Sequence, residues 1–216
     1  MREHQAIDAM WDDTPIDVSR ETSMIWSIAN KLRGPYQSDK YKDVIIPMTI
    51  IRRFECALAP TKGKVVEQYE INPSYPEKAM YRLSGFQFYN TSRFTLAELC
   101  NDPDHLADNF VSYLQGFSPN VQNILLSEVQ GLDFKKQITK MDKNNRLLAV
   151  VKAFSELDLN PLTIDNVKMG YIFEDLIRRF SENAEAGDHY TGRDIIKLMV
   201  SILLAEGCDD ICSFQN

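Results

Sequence analysis

The residues with the clearest chemical potential lie near the end of the chain, just before the apolar pattern of a helix. Thr191 stands three residues before Asp194, which is the spacing of a helix capping box. A capped helix start presents free N–H groups and positive dipole character, which together can receive a carboxylate. The loop before this helix could therefore receive a carboxylate, and a plain helix cap is the alternative. Its residues are Asp188, His189, Tyr190, Thr191, Gly192 and Arg193.

Charge restricts the partners that the chain can bind. It has 24 basic and 31 acidic residues, and the resulting net charge of -7 opposes unaided binding to DNA. Any contact with DNA must therefore be local or shared with a partner. Basic pairs occur at five places, and each is most simply the solvated side of a helix: Lys31/Arg33, Lys40/Lys42, Arg52-Arg53, Lys135-Lys136 and Arg178-Arg179.

Cysteine and histidine spacing indicates no metal or redox site. The four cysteines contain no Cys-x-x-Cys pair, and the three histidines lack the spacing of metal ligands. We expect reduced cysteines with structural roles. No stretch approaches the roughly 20 apolar residues of a membrane span, and the first residues lack the apolar core of a secretory signal. We therefore expect a cytoplasmic protein with no membrane contact. The cysteines and histidines are Cys56, Cys100, Cys208, Cys212, His4, His105 and His189.

Helical periodicity dominates the elements that must position these residues. Ile25, Ile28 and Leu32 recur at helical spacing before a Gly34-Pro35 stop. A longer apolar segment begins at Ser38-Asp39 and ends at Pro60. Pro47 inside that segment should kink the helix or split away its first turn. Further helical periods cover residues 64–69, 95–100, 104–114, 119–127, 146–157, 166–180 and 192–206.

The expected fold class is mainly α, a helical bundle that forms one body. Residues 72–76 read as a proline-rich loop, and residues 86–89 alternate like a short strand, which allows a small β-hairpin in the middle. Residues 1–18 show no sustained period and are expected to form a loose arm. The helical domain is then expected to cover residues 19–186.

Two blocks of the sequence resemble the modification subunits of type I restriction-modification systems. The first is similar to the family's Leu-Trp-x-x-Ala-(Asp/Asn)-x-Leu-Arg-Gly and Tyr-Lys-x-x-(Val/Ile) segments. It consists of Trp26-Ser27-Ile28-Ala29-Asn30-Lys31-Leu32-Arg33-Gly34 and Tyr41-Lys42-Asp43-Val44-Ile45. The second, at residues 170–180 and 187–200, is similar to a Gly-x-x-(Tyr/Phe)-Glu-x-Leu-Ile helix and a Gly-(Glu/Gln)-(Phe/Tyr)-(Phe/Tyr)-Thr-Pro-Arg segment. Gly192 replaces that proline, and His189 replaces one aromatic residue.

The resemblance spans residues 21–207 and implies a function. The family methylates adenine N6 in DNA with S-adenosyl-L-methionine. Residues 188–193 match its outlying cofactor motif, so residues 187–216 would begin the methyltransferase domain. The implied partners are a specificity subunit, a second modification subunit, a restriction subunit and double-stranded DNA. In this family the helical N-terminal region assembles the complex and closes around DNA.

The catalytic parts of such an enzyme are not found in the sequence. There is no Gly-x-Gly, and the nearest approach to the polar-Pro-Pro-aromatic tetrapeptide, Asn72-Pro73-Ser74-Tyr75, lacks the second proline. Asp102-Pro103-Asp104-His105 is best interpreted as a helix start. We therefore expect a fragment or truncated product that is inactive alone. The alternatives are a non-catalytic helical interaction or DNA-clamping module, and a helical regulator unrelated to methylation.

Overall fold

The computed structural model describes residues 16–129 and 131–182, together with the helical residues 195, 196, 198 and 199. The described chain is built from helices joined by short turns, and its only bridges are two isolated ones, Arg33 with Tyr36 and Asn90 with Phe117. The mainly α fold class is thus confirmed. No helix in the described residues is long and apolar enough to span a membrane.

The order of the α-helices follows the predicted pattern over most of the described chain. Short 3-10 turns at Asn30–Leu32, Ser38–Lys40 and Pro103–His105 connect or precede them. The α-helices are α1 (Ser19–Ala29), α2 (Lys42–Leu58), α3 (Lys62–Ile71), α4 (Glu77–Ser84), α5 (Leu96–Leu99), α6 (Leu106–Gln115), α7 (Pro119–Leu126), α8 (Phe134–Lys143), α9 (Leu147–Ser155) and α10 (Asn166–Glu182).

The predicted stop of the first helix is confirmed at Gly34. This residue has a φ of +104°, a backbone conformation that glycine adopts without steric cost. Pro47, by contrast, does not split α2, which runs unbroken from Lys42 to Leu58. Val44, Met48 and Ile51 of this helix are fully buried. The burial of this apolar face offsets the one backbone hydrogen bond that the proline removes.

Helix α2 is the centre of the domain. It packs against α1, α8, α9 and α10, and it contributes a fully buried stripe to the core that these helices share. Trp26 and Leu32, predicted as core residues, are in that core or packed on it, with the Trp26 ring 5.1 Å from the Phe180 ring. The contact between Trp26 and Phe180 thus joins α1 to α10 beside α2.

The Arg52-Arg53 pair corrects the prediction that basic pairs lie on solvated helix faces. Arg53 is only 8% exposed. Its guanidinium donates to the Leu159 carbonyl at 2.8 Å, the Ile164 carbonyl at 2.6 Å and Asn166 Oδ1 at 2.9 Å. Arg52 Nε donates to the Leu157 carbonyl at 2.7 Å. The prediction fails because the connector between α9 and α10 crosses α2 and supplies backbone acceptors there.

Glu55 extends this network to the other side of α2. The carboxylate is 7% exposed and accepts hydrogen bonds from the Leu96 N–H at 2.7 Å and the Tyr113 hydroxyl at 3.2 Å. It also pairs with Arg52. Lys62 Nζ lies 5.2 Å from the Tyr113 ring centre, and burial lowers the pKa of this lysine. One face of α2 thus fixes both the start of α5 and the middle of α6.

The predicted β-hairpin is wrong. Residues 86–89 form no strand, and the backbone from Tyr89 to Thr91 instead meets the turn after α6, with one isolated bridge from Asn90 to Phe117. The Ser118 N–H donates to the Tyr89 carbonyl at 3.0 Å, and the Thr91 N–H donates to the Gly116 carbonyl at 2.8 Å. Phe88 packs its ring 4.4 Å from that of Phe54. The alternation therefore reflects a single segment packed on α2.

Two helices were not foreseen in the sequence, α4 and α8. Both carry many charged or polar residues around a narrow apolar stripe. In α8 that stripe is Phe134, Ile138 and Met141, all fully buried. Three residues at this spacing are enough to attach a short helix to an existing core, although they are a weak signal by themselves.

The turn before α8 leads to a prediction about Gly131. A Cβ atom at this position would lie 2.4 Å from the Asn123 carbonyl oxygen and 2.7 Å from that of Ile124. We predict that Gly131→Ala lowers the free energy of unfolding by about 1–3 kcal/mol, because backbone must move to admit the methyl group. The matched control is Gly63→Ala in α3, where no atom lies within 4 Å.

Gly63→Ala should leave stability equal or raise it by up to about 1 kcal/mol. Urea unfolding followed by circular dichroism measures both variants. Equal stability of the two would contradict the close packing described for this turn.

Candidate functional site

The predicted binding loop lies outside the described residues. Asp188, His189, Tyr190, Thr191, Gly192 and Arg193 therefore keep the roles expected from the sequence as predictions only. The second half of the resemblance is represented by α10, which precedes this loop.

Helix α10 is attached to α1 at two levels and to α2 at its start. Lys168 Nζ lies 2.8 Å from Glu21 Oε1, and the hydrogen bond from this ammonium group lowers the pKa of the Glu21 carboxyl. Further along, Phe180 packs on Trp26. Arg53 holds Asn166 at the first residue of the helix. Helix α10 is thus held by side chains of α1 and α2.

The main charged feature of the described residues is a lysine stripe on α8. Lys136, Lys140 and Lys143 follow one another at intervals of four and three residues, so they share one side of the helix. Phe134, Ile138 and Met141 occupy the opposite side and are buried. The three lysines are exposed. We call Lys136, Lys140 and Lys143 the lysine face.

A second basic segment packs against the lysine face through Tyr36. The Tyr36 hydroxyl donates to Gln137 Oε1 at 3.2 Å, and Lys140 Nζ lies 4.0 Å from the centre of the Tyr36 ring. Burial of this tyrosine raises its pKa to about 12, so it stays a neutral donor at physiological pH. Arg33, three residues before, is exposed. Tyr36 thus joins the turn after α1 to α8.

Two more cations extend this surface. Lys42 and Lys136 line one depression of about 400 Å³, together with the carboxylates of Asp43 and Asp133. At the other end, Arg146 Nη2 lies 4.0 Å from the position of a Cβ atom on Gly34, and its Nε has no hydrogen-bond partner among the described residues. Members of two of the five basic pairs, Lys42 and Lys136, therefore meet at one depression.

This surface has a charge opposite to that of the whole chain. Residues 134–146 contain five basic residues and one acidic residue, in a protein with a net charge of -7. Sequence analysis identified the separate pairs but not their convergence, which depends on Tyr36 contacting a helix about 100 residues later. The geometry suits a polyanion with regularly spaced charges, since exposed lysines act as point charges without demanding one bonding geometry.

Metal and thiol chemistry find no support in the described part of the chain. No group of three or more His, Cys, Asp or Glu side chains there could hold a metal ion. Cys56 and Cys100 are free, and burial raises the pKa of both thiols. His105 accompanies Asp102 at a helix start, as predicted, with the His105 N–H donating to Asp102 Oδ1 at 3.4 Å.

The described fold is a helical domain with an exposed lysine stripe on α8, in a chain of net charge -7. Comparison with known families is more specific. The model of the HsdM N-terminal domain matches residues 22–154, more than half of the chain, and the chain belongs to this family. The matched region includes the first block of the resemblance, Tyr36 and the whole lysine face.

A curated relative agrees with this assignment. The type I restriction enzyme MjaIX methylase subunit of Methanocaldococcus jannaschii is 22% identical over 203 residues, which are 86% of this chain and 35% of the relative. The chain thus spans about a third of the length of the relative that it matches. The resemblance to modification subunits that was stated from the sequence is confirmed.

Proposed function

We propose that this chain is the N-terminal helical domain of a type I modification subunit whose full protein methylates adenine N6 in DNA. The observation that carries the proposal is the match to the HsdM N-terminal domain across α1 to α9. The methyl donor would be S-adenosyl-L-methionine, and the protein would act in the cytoplasm. The 216 residues alone would be inactive, since they hold neither a Gly-x-Gly nor a Pro-Pro tetrapeptide.

In this proposal the domain has two tasks, assembly and DNA clamping. The lysine face would contact the phosphate backbone of double-stranded DNA, where each neutralised phosphate releases a counterion and strengthens binding. Such contacts position a protein on DNA without reading its sequence. Recognition of the target would be left to a specificity subunit, with a second modification subunit and a restriction subunit as further partners.

The loop of residues 188–193 would begin the methyltransferase domain at residues 187–216. There Tyr190 would pack beside the cofactor, and Thr191 would offer its hydroxyl and nearby N–H groups to the cofactor's carboxylate. The helical domain would then cover residues 19–186, preceded by the arm at residues 1–18.

The lysine face leads to a prediction about duplex binding. We predict that the 216-residue chain binds duplex DNA weakly and without sequence preference, and that Lys136→Gln with Lys143→Gln weakens this binding. The slope of log K against log salt should fall by about 1.8, because each lost phosphate contact removes about 0.9. Fluorescence anisotropy at several salt concentrations measures this slope.

The matched control is Lys64→Gln with Lys152→Gln, which removes two exposed lysines from α3 and α9. It should lower affinity slightly through net charge while keeping the slope. If both double variants change the slope equally, the lysine face has no special part in DNA binding. Tight binding to one short sequence would contradict the proposed division of tasks.

Thr191→Ala in the full-length protein separates a cofactor contact from a helix cap. Loss of a cap alone costs about 1 kcal/mol of stability and leaves cofactor affinity almost unchanged. Loss of a cofactor contact also weakens binding of S-adenosyl-L-methionine by about 1–3 kcal/mol, near tenfold or more. We predict the second result, measured by calorimetric titration beside thermal melts.

Thr191→Ser is the control, since it keeps the hydroxyl and should restore most of the affinity. A Thr191→Ala protein that melts lower and binds the cofactor like the wild type would show that the loop is only a cap.

A further inference from the structure

Four phenylalanine rings form a continuous series from the core to the surface. The Phe117 and Phe54 ring centres are 6.2 Å apart, those of Phe54 and Phe88 are 4.4 Å apart, and those of Phe88 and Phe86 are 5.3 Å apart. Phe117 is buried, whereas Phe86 is 38% exposed. The last two steps are tilted stacks with interplanar angles of 35° and 32°. The series therefore ends with a ring in contact with solvent.

The segment that carries the outer rings is held firmly. Gly85 ends α4 with a φ of +77°, and the Phe86 N–H donates to Ser84 Oγ at 3.2 Å. Ser84 Oγ in turn donates to the Phe88 carbonyl at 2.8 Å. Asn120 Nδ2 donates to the Gln87 carbonyl at 2.8 Å. Phe86 is thus presented on a fixed backbone, which limits the entropy lost when a ligand packs on it.

Two cations stand beside this ring. Lys78 and Arg82 are one helical turn apart on α4, and both are exposed. Within the described residues, neither has an ion-pair partner. The nearby carboxylate of Glu77 is engaged by the Tyr81 hydroxyl. These side chains line an open depression of about 620 Å³: Lys78, Tyr81, Arg82, Gly85, Phe86 and Gln87.

We propose that this depression binds a segment of single-stranded DNA. An unpaired base stacks on Phe86 and continues the series of rings, while neighbouring phosphates meet Lys78 and Arg82. Single-stranded nucleic acid is bound in general by such a combination of an exposed ring and cations along a groove. Two unpaired cations favour a polyanion over an uncharged peptide as the occupant. Duplex DNA fits less well, because its base faces are covered by stacking.

This site goes beyond the proposed function, which concerns duplex DNA at the lysine face on α8. The test uses the 216-residue chain and a fluorescein-labelled oligothymidine of about 15 nucleotides, with a duplex of equal length beside it. We predict that Phe86→Leu weakens oligothymidine binding about fivefold or more and leaves duplex binding unchanged. Leucine keeps an apolar side chain, so thermal melts should show the variant folded.

Lys78→Ala and Arg82→Ala should each weaken binding of the oligothymidine and lower its salt slope by about 0.7. Lys64→Ala, on α3, should not. Phe86→Trp keeps a ring and should retain binding, with quenching of the new indole fluorescence by the oligothymidine. The proposal is overturned if the wild-type chain does not bind the oligothymidine, whether or not it binds a proline-rich peptide. It is also overturned if Phe86→Leu binds the oligothymidine like the wild type. If the wild-type chain binds the oligothymidine but not the duplex, the result counts against the proposed duplex contact at the lysine face and not against this site.

Discussion

Arg53 lies in the core of the domain, and its guanidinium must find acceptors there because a buried unpaired charge is costly. It finds them in two carbonyl groups and one amide of the connector between α9 and α10. Glu55, two residues later on α2, has the same need and meets it at the start of α5 and at Tyr113. Replacing either partner would leave the other groups buried without a bond, so these contacts select one arrangement of the helices around α2.

That arrangement places the candidate sites. The connector held by Arg53 leads directly into α10, which packs along α1. On another part of the domain, α8 packs on α2 through Phe134 and Ile138, and this packing brings its lysines beside Tyr36. The aromatic series also includes a ring of α2, that of Phe54. A single central helix therefore connects the proposed duplex surface and the proposed single-strand surface.

Much of the helical order could be predicted, because local signals carry it. The Gly34 stop and the apolar period of α10 are both short-range features. The roles of Arg52 and Arg53 could not be predicted, since their acceptors lie more than 100 residues away in the sequence. The contact of Tyr36 with Gln137 and Lys140 on α8 could not be predicted either, because it joins residues about 100 positions apart. The strand prediction for residues 86–89 failed because alternation alone does not distinguish a paired strand from an extended segment that packs on a helix.

Lysine acetylation followed by mass spectrometry tests most directly whether the lysine face meets DNA. The chain is labelled briefly with and without saturating duplex DNA, and protection is compared at each lysine. The account predicts protection of Lys136, Lys140 and Lys143, with little change at Lys64 and Lys152, which lie on other helices. The account is contradicted if DNA protects all five lysines equally or protects none of them. Protection confined to Lys64 and Lys152 would also contradict it.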